Sequence, residues 1–247
     1  MSHGKQFTFY THSSGPNGWK VAFVLDELGL SYHSVYLDFG KKEQKGPEHT
    51  QYNPNGRIPT LIDHHNGDFV IWESNAIYLY LVEKYDKEHK ISVVGEKDKY
   101  TMLQWLLFQA SGQGYALVPS CSRNIFNGKA DFRYSSPYYG QVFWFKNSHP
   151  ERVPSAVERY QNEILRVFGV LDGVLAKQPS GWLVGGKLTI ADLSFIMWDL
   201  LATTMALSDR TDVDVEKTYP AFYAWHQRLL KRESVAKLLE VRASLMK

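Results

Sequence analysis

Residues 11–30, THSSGPNGWKVAFVLDELGL, put Ser13, Ser14 and Asn17 where a strand gives way to a helix. Hydroxyls and a carboxamide at that position admit two chemistries. They can cap the unpaired N–H groups of the first helical turn, or they can join those groups in holding an anion. If the anion is a thiolate, its pKa falls, and Asn17 is a neutral donor that does this without titrating itself. A second candidate is Ile58-Pro59, at the mouth of the strand-like run RIPTL. Proline is unusual in a sheet interior. It fits either an ordinary trans proline at an edge or a cis bond that exposes the backbone N–H and C=O of Ile58 to an extended, peptide-like ligand. The third candidate is Trp72-Glu73-Ser74-Asn75. Here a helix start and the Ser74 hydroxyl can hold a carboxylate while Glu73 meets an ammonium, which suits an α-amino acid head group. Plain capping by an acid and a serine is the alternative.

The elements around these residues follow from hydrophobic period. Residues 5–10 and 31–38 alternate and predict strands; residues 16–29 carry Val21, Ala22, Val24, Leu25 and Leu28 at helical spacing between them. The polar run GKKEQKGPEH reads as a loop with a solvated lysine face. Two short strands, about 58–63 and 68–71, flank His65-Asn66-Gly67, a hairpin signal, and a helix runs from about Glu73 to Tyr85. After a charged linker at 86–98 the period is helical at about 97–113, 153–177, 189–206, 218–231 and 233–245. The segregation of strands from helices predicts an α/β N-terminal domain followed by an all-α C-terminal domain. Leu188-Thr189-Ile190-Ala191-Asp192-Leu193 reads as a capping box with a hydrophobic staple. Asp192 is therefore assigned to structure and not to catalysis.

The 247 residues are 44% hydrophobic, enough for one large domain or two modest ones. A net charge of +2 gives no reason to invoke nucleic acid or an anionic membrane. No run is long and apolar enough for a membrane span, and the N-terminal stretch has no signal-peptide character. A single cysteine, Cys121, excludes an internal disulfide and a Cys-x-x-Cys pair and suggests a reducing, cytoplasmic setting. No metal is expected.

The order of the three candidates, followed by a helical domain with its Thr-Ile-Ala-Asp box, resembles a glutathione transferase: a thioredoxin-like N-terminal domain plus an all-α C-terminal domain. The resemblance covers nearly the whole chain. It is narrowed toward the fungal class related to the yeast nitrogen-catabolite regulator and prion protein, and toward the bacterial Nu class. Carrying that narrower match are Pro16-Asn17-Gly18-Trp19-Lys20-Val21, Leu37-Asp38-Phe39-Gly40, Asn53-Pro54-Asn55-Gly56-Arg57-Ile58-Pro59, Leu103-Gln104-Trp105-Leu106, Ala156-Val157-Glu158-Arg159-Tyr160 and Trp182-Leu183-Val184-Gly185. The domains it implies are 1–88, which binds glutathione, a linker at 89–98, and 99–247. It implies that Asn17 orients the glutathione sulfur, with Ser13 or Ser14 as a second donor. It also implies that Ile58 pairs through its backbone beside cis Pro59, that Glu73 and Ser74 hold the γ-glutamyl head, and that Gln44 and Arg57 lie toward the glycyl end. Trp105, Phe108, Tyr139, Phe143 and Trp144 are candidate walls for a hydrophobic co-substrate, with plain core as the alternative for each. The resemblance further implies glutathione as co-substrate, a small hydrophobic electrophile or a disulfide as partner, and a homodimer. Without a cysteine at the first helix the chain cannot form a mixed disulfide there, which removes the glutaredoxin-like mechanisms of the omega and lambda classes. Disulfide reduction or peroxidase activity through bound glutathione is expected alongside transfer. A non-catalytic protein that binds glutathione or hydrophobic ligands, or regulates another protein, is the rival on the same fold.

The chain departs from the family at residues 115–136, which interrupt the pattern before Pro137-Tyr138-Tyr139-Gly140 resumes it and which contain Cys121. Back-translation admits splice-like borders, so the segment is either a retained in-frame intron or an ordinary loop insertion. The genomic sequence distinguishes them.

Overall fold

The computed structural model describes residues 3–113 and 138–246. The insertion at 115–136, with Cys121, lies outside the described residues. The first strand, β1 (Phe7–Thr11), buries Phe7, Phe9 and Thr11 on one face, as its alternation requires. It pairs in parallel with β2 (Tyr32–Tyr36) across helix α1 (Pro16–Glu27). A short helix, α2 (Pro47–Thr50), precedes the antiparallel strands β3 (Thr60–Asp63) and β4 (Phe69–Trp72), and the sheet order is β2-β1-β3-β4. The β3–β4 connection is a 3-10 turn at His64–Asn66, with the Asp63 carboxylate accepting from the His65 N–H (3.0 Å), and Gly67 follows at φ +63°. Helix α3 (Ser74–Tyr85) completes a thioredoxin-like βαβ-ββα unit.

The polar run after β2 is not a bare loop. It folds into a 3-10 turn (Glu43–Lys45) and α2 because His49 is buried and bonded on both sides, to the Gln44 carbonyl (3.0 Å) and to Thr60 Oγ1 (3.0 Å). The charged stretch that follows α3 is likewise anchored. Asp86 accepts from Lys90 N, Ile91 N and Ser92 Oγ at 2.6, 2.9 and 2.7 Å, and the Ile91 carbonyl accepts from Ile190 N at 2.9 Å. Helix α4 (Glu96–Phe108) starts inside the expected linker, with Glu96 and Asp98 in its first turn where the helix dipole favours acids.

Helix α4 passes into a π-helical turn at Gln109–Gln113. Beyond the segment left undescribed come α5 (Tyr138–Asn147), α6 (Pro154–Leu175) and α7 (Ile190–Leu201), the last continued by a second π-helical turn at Ala202–Ala206. The chain ends with α8 (Val215–Thr218), α9 (Pro220–Leu230) and α10 (Glu233–Leu245). The capping box at the head of α7 is formed. Asp192 is fully buried and accepts from Thr189 N (2.9 Å), Thr189 Oγ1 (3.0 Å), Leu183 N (3.1 Å) and Trp225 Nε1 (3.0 Å).

Helix α1 is the common wall of the molecule, packing against α3, α7 and α10 and buried from Gly18 through Leu25. A helix covered on so many sides needs apolar side chains all round, as residues 18–25 have apart from Lys20. Gly18 sets its distance from β1: a Cβ at that position would sit 2.0 Å from Thr11 Oγ1.

Candidate glutathione site

The start of α1 carries no side-chain cap; Gly15 is the N-cap and Pro16 the first helical residue. Of the two chemistries open to Asn17 at the sequence level, capping is thus not the one realised. Instead Asn17 Oδ1 accepts from the indole Nε1 of Trp198 on α7 (3.0 Å). An indole N–H can only donate, so the oxygen of the amide must face Trp198 and its NH2 is left to donate elsewhere. Ser14 donates its backbone N–H to His12 Nδ1 (3.1 Å), and its hydroxyl lies 3.0 Å from the same nitrogen. A ring nitrogen that accepts the amide also accepts the hydroxyl, which commits the Ser14 proton to His12 and leaves Ser13 as the serine able to donate. The Ser13 carbonyl accepts from Trp19 Nε1 (2.8 Å). His12 stacks on Phe39 (4.0 Å between centroids), and its burial lowers its pKa against the opposing pull of Asp38.

The Ile58-Pro59 peptide is cis. Strand β3 begins its pairing at Thr60, so Ile58 lies outside the register with β1 and β4. Asn53 holds this loop, donating to the Arg57 carbonyl (2.8 Å) and to Thr60 Oγ1 (2.9 Å). Gly56, at φ +59°, lets the loop come against residues 44–45: a Cβ there would be 2.9 Å from the Gln44 carbonyl. Gln44 Oε1 and Arg57 Nε are buried without a hydrogen-bond partner. Burial lowers the Arg57 pKa, and Glu73 opposes the shift.

Glu73 sits at φ +71° as the N-cap of α3, without a side-chain cap bond, and is exposed. A non-glycine residue held there is a strained point of the kind that collects at ligand sites. Ser74 is buried beneath it, and Ser74 Oγ accepts from Lys20 Nζ (3.1 Å). Lys20, 1% exposed, also donates to Asn75 Oδ1 (3.1 Å) and Gln109 Oε1 (2.7 Å), and burial lowers its pKa to about 7 although Glu73 opposes this. Asn75 in turn donates to the Leu106 carbonyl (2.7 Å).

The aromatic residues expected to form a hydrophobic wall divide by burial. Trp105 (7% exposed) meets Phe108 edge-on at 5.5 Å and Phe195 at 6.3 Å, in the core of the helical domain. Tyr139 is fully buried against Phe168 (6.3 Å). Phe108, Phe143 and Trp144 are half-buried. The Phe108 ring lies 6.0 Å from the Arg166 guanidinium, and Trp144 packs on Phe145 and His149. Among the described residues no group of three His, Cys, Asp or Glu could hold a metal, and no helix is long and apolar enough to cross a membrane.

Sequence reasoning missed Trp198, Lys20 and Gln109. Trp198 lies 181 residues from Asn17 and carries no local mark. Lys20 did carry one, as the lone charge in the apolar run GWKVAFVL.

Comparison with known proteins finds relatives of both domains. The sequence model described as "Glutathione S-transferase, N-terminal domain" matches residues 5–83, and "Glutathione S-transferase, C-terminal domain" matches residues 136–242. "Glutathione S-transferase 1" of Schizosaccharomyces pombe is 43% identical over 249 residues, covering 98% of each chain. The transcriptional regulator URE2 of Saccharomyces cerevisiae is 34% identical, covering 94% of this chain and 67% of its own. Among solved structures, the glutathione transferase URE2P6 of Phanerochaete chrysosporium in complex with oxidized glutathione superposes with a TM-score of 0.85 at 53% identity, covering 99% of both chains.

Proposed function

The chain belongs to the glutathione S-transferase family, and from that premise we propose that it activates the thiol of bound glutathione for attack on hydrophobic electrophiles, mixed disulfides and peroxides. Glutathione lies extended, its cysteinyl backbone paired with Ile58. The γ-glutamyl ammonium meets Glu73, and its carboxylate meets Ser74 and the N-terminal N–H groups of α3. Gln44 and Arg57 serve the glycyl end, an assignment supported by their unpartnered buried atoms.

The observation that carries the reading is the Trp198–Asn17 bond, which leaves the Asn17 NH2 as a donor at the head of α1. The sulfur sits against that NH2, the Ser13 hydroxyl and the first helical N–H groups, and the thiol proton leaves to solvent. The Asn17 amide and the helical N–H groups are fixed before substrate arrives and so stabilise the thiolate without reorganising. The thiolate then attacks carbon, displacing a leaving group that takes the bonding electrons. Alternatively it attacks the glutathionyl sulfur of a glutathione mixed disulfide, giving oxidised glutathione and a free thiolate, or a peroxide oxygen, breaking the O–O bond to give a sulfenic acid and an alkoxide that leaves as the alcohol; a second glutathione then reduces the sulfenic acid, giving oxidised glutathione and water. Phe108, Phe143 and Trp144 line the approach of the co-substrate. The protein works as a homodimer in the cytoplasm.

Turnover with an aryl halide, a mixed disulfide and a peroxide tests the proposal. Asn17→Ala is expected to reduce kcat by about tenfold or more, the cost of losing one oriented donor, with a smaller change in glutathione affinity. Unaltered turnover in all three assays removes Asn17 from the mechanism. A second reading, a ligand-binding or regulatory protein with vestigial catalysis, is favoured by the similarity to URE2, which its name describes as a transcriptional regulator. No wild-type turnover in any of the three assays, with glutathione still bound, would select it.

A further inference from the structure

The ammonium of Lys20 lies at one end of a buried chain that crosses from the α/β domain into the helical domain. Lys20 Nζ donates to Gln109 Oε1 (2.7 Å), Gln109 Nε2 donates to Gln113 Oε1 (3.1 Å), and Gln113 Nε2 donates to Asp199 Oδ1 (2.6 Å). With Lys20 in its ammonium form, which only donates, every direction follows, because each amide carries its donor and acceptor at opposite sides. The π-helical turn holds both glutamines on the face that makes this possible. At Lys20 the three acceptors, Ser74 Oγ, Asn75 Oδ1 and Gln109 Oε1, match the three N–H bonds of an ammonium.

We propose that Lys20 is a positioning residue for the carboxylate of the γ-glutamyl head: it occupies the Ser74 oxygen as an acceptor, turning the Ser74 proton toward the ligand, and supplies the buried positive charge that the carboxylate answers. The proposal rests on the glutathione reading and deepens it. Among the described residues the charged or titratable groups facing Lys20 are Glu73 at the head of α3, Tyr78 on α3, whose O–H donates to the Lys20 carbonyl (2.8 Å), and Asp199 on α7 through the two glutamines. Burial pushes Asp199 well above its usual range, toward its neutral form, and Tyr78 likewise. Glu73 is exposed, so among the described residues no buried anion balances Lys20 until a carboxylate binds. With its pKa near 7 in the free protein, Lys20 is partly neutral at pH 7.5. Bringing a carboxylate to Ser74 raises that pKa, so binding takes up a proton and weakens as pH rises through 7.

S-hexylglutathione is the probe, since its blocked sulfur removes the thiol from the proton count. Calorimetry at pH 7.5 in buffers of different ionisation enthalpy is expected to show uptake of more than about half a proton, and affinity is expected to fall roughly tenfold from pH 6 to pH 8. Lys20→Met should abolish the uptake and flatten the pH profile, and should weaken binding at pH 6. Should that variant not fold, uptake that persists in both His12→Gln and His49→Gln supports Lys20, and uptake lost in either overturns it. Binding by the wild type with no uptake and a flat profile overturns the role of Lys20 and leaves the glutathione reading standing. Failure of the wild type to bind S-hexylglutathione overturns the glutathione reading itself and this inference with it.

Discussion

At the scale of single residues, the site depends on groups whose direction is imposed by a donating partner, an indole N–H or an ammonium. Trp198 does this for Asn17 and Lys20 does it for Ser74. Removing the imposing partner should disorder the donor without removing it. Trp198→Phe is therefore expected to lower kcat by about three- to tenfold through misorientation of the Asn17 amide, with KM for glutathione nearly unchanged. Steady-state kinetics with varied glutathione checks this, and a pure KM effect would contradict it. Asn17, Glu73 and Ser74 could be read from the sequence because each stands at a helix start. Neither Trp198 nor Gln109 could be, because their significance is a distance across the fold.

At the scale of elements, the placement of α1 against β1 fixes where its first turn points. The close approach at Gly18 leaves no room for a methyl group, and Thr11 Oγ1 cannot move far from a Cβ that would itself lie only 3.2 Å away. Gly18→Ala is expected to cost about 2 kcal/mol of stability as overpacking, and Thr11→Ala should recover part of it, a coupling that a double-mutant cycle by denaturant unfolding measures. At α7 the box predicted from Thr-Ile-Ala-Asp does more than cap a helix. Asp192 also accepts from Leu183 N and Trp225 Nε1, so it ties the segment before α7 and helix α9 to the same carboxylate. Loss of an N-cap alone would be worth about 1 kcal/mol. With four buried donors left unpaired, Asp192→Ala is expected to cost roughly 3 kcal/mol or more; a loss under 1 kcal/mol in denaturant unfolding would contradict this. The alternating and helical periods foretold most elements to within a few residues. They did not foretell α5 or α8, nor α2, which forms because His49 is buried and bonded at both ring nitrogens, a tertiary reward for a polar run.

At the scale of the whole molecule, α1 belongs to both domains. Besides the Asn17–Trp198 and Lys20–Gln109 bonds, the buried Glu27 at its end accepts from Arg232 Nε and Nη2 (2.9 Å each) and from the Ser234 hydroxyl at the head of α10. Burial alone would raise the pKa of Glu27, but these bonds bring it below its usual value. A second buried group gives the fold an acid limit. His226 on α9, 1% exposed and stacked on Phe222, is pushed by burial to a pKa of about 4. Its folded value lies below its unfolded value of about 6.5, so the unfolded chain takes the proton first as pH falls. Stability should therefore drop by about 2 kcal/mol between pH 6.5 and 5 from this group. Denaturant unfolding of the wild type against His226→Phe across that range isolates the contribution; equal slopes would remove it.

The amino-acid sequence by itself determined the two-domain order, the helix starts that can hold an anion, the proline before β3 and the box at α7. These are local matters, decided by hydrophobic period and by the few residue types that suit a turn or a helix end. Tertiary structure alone decided that Asn17 does not cap its helix, that a lysine lies buried beneath Ser74, and that Trp105 and Tyr139 belong to the core. Those outcomes depend on which groups meet across α1, and a hydrogen bond between residues 17 and 198 leaves no trace in the spacing of either.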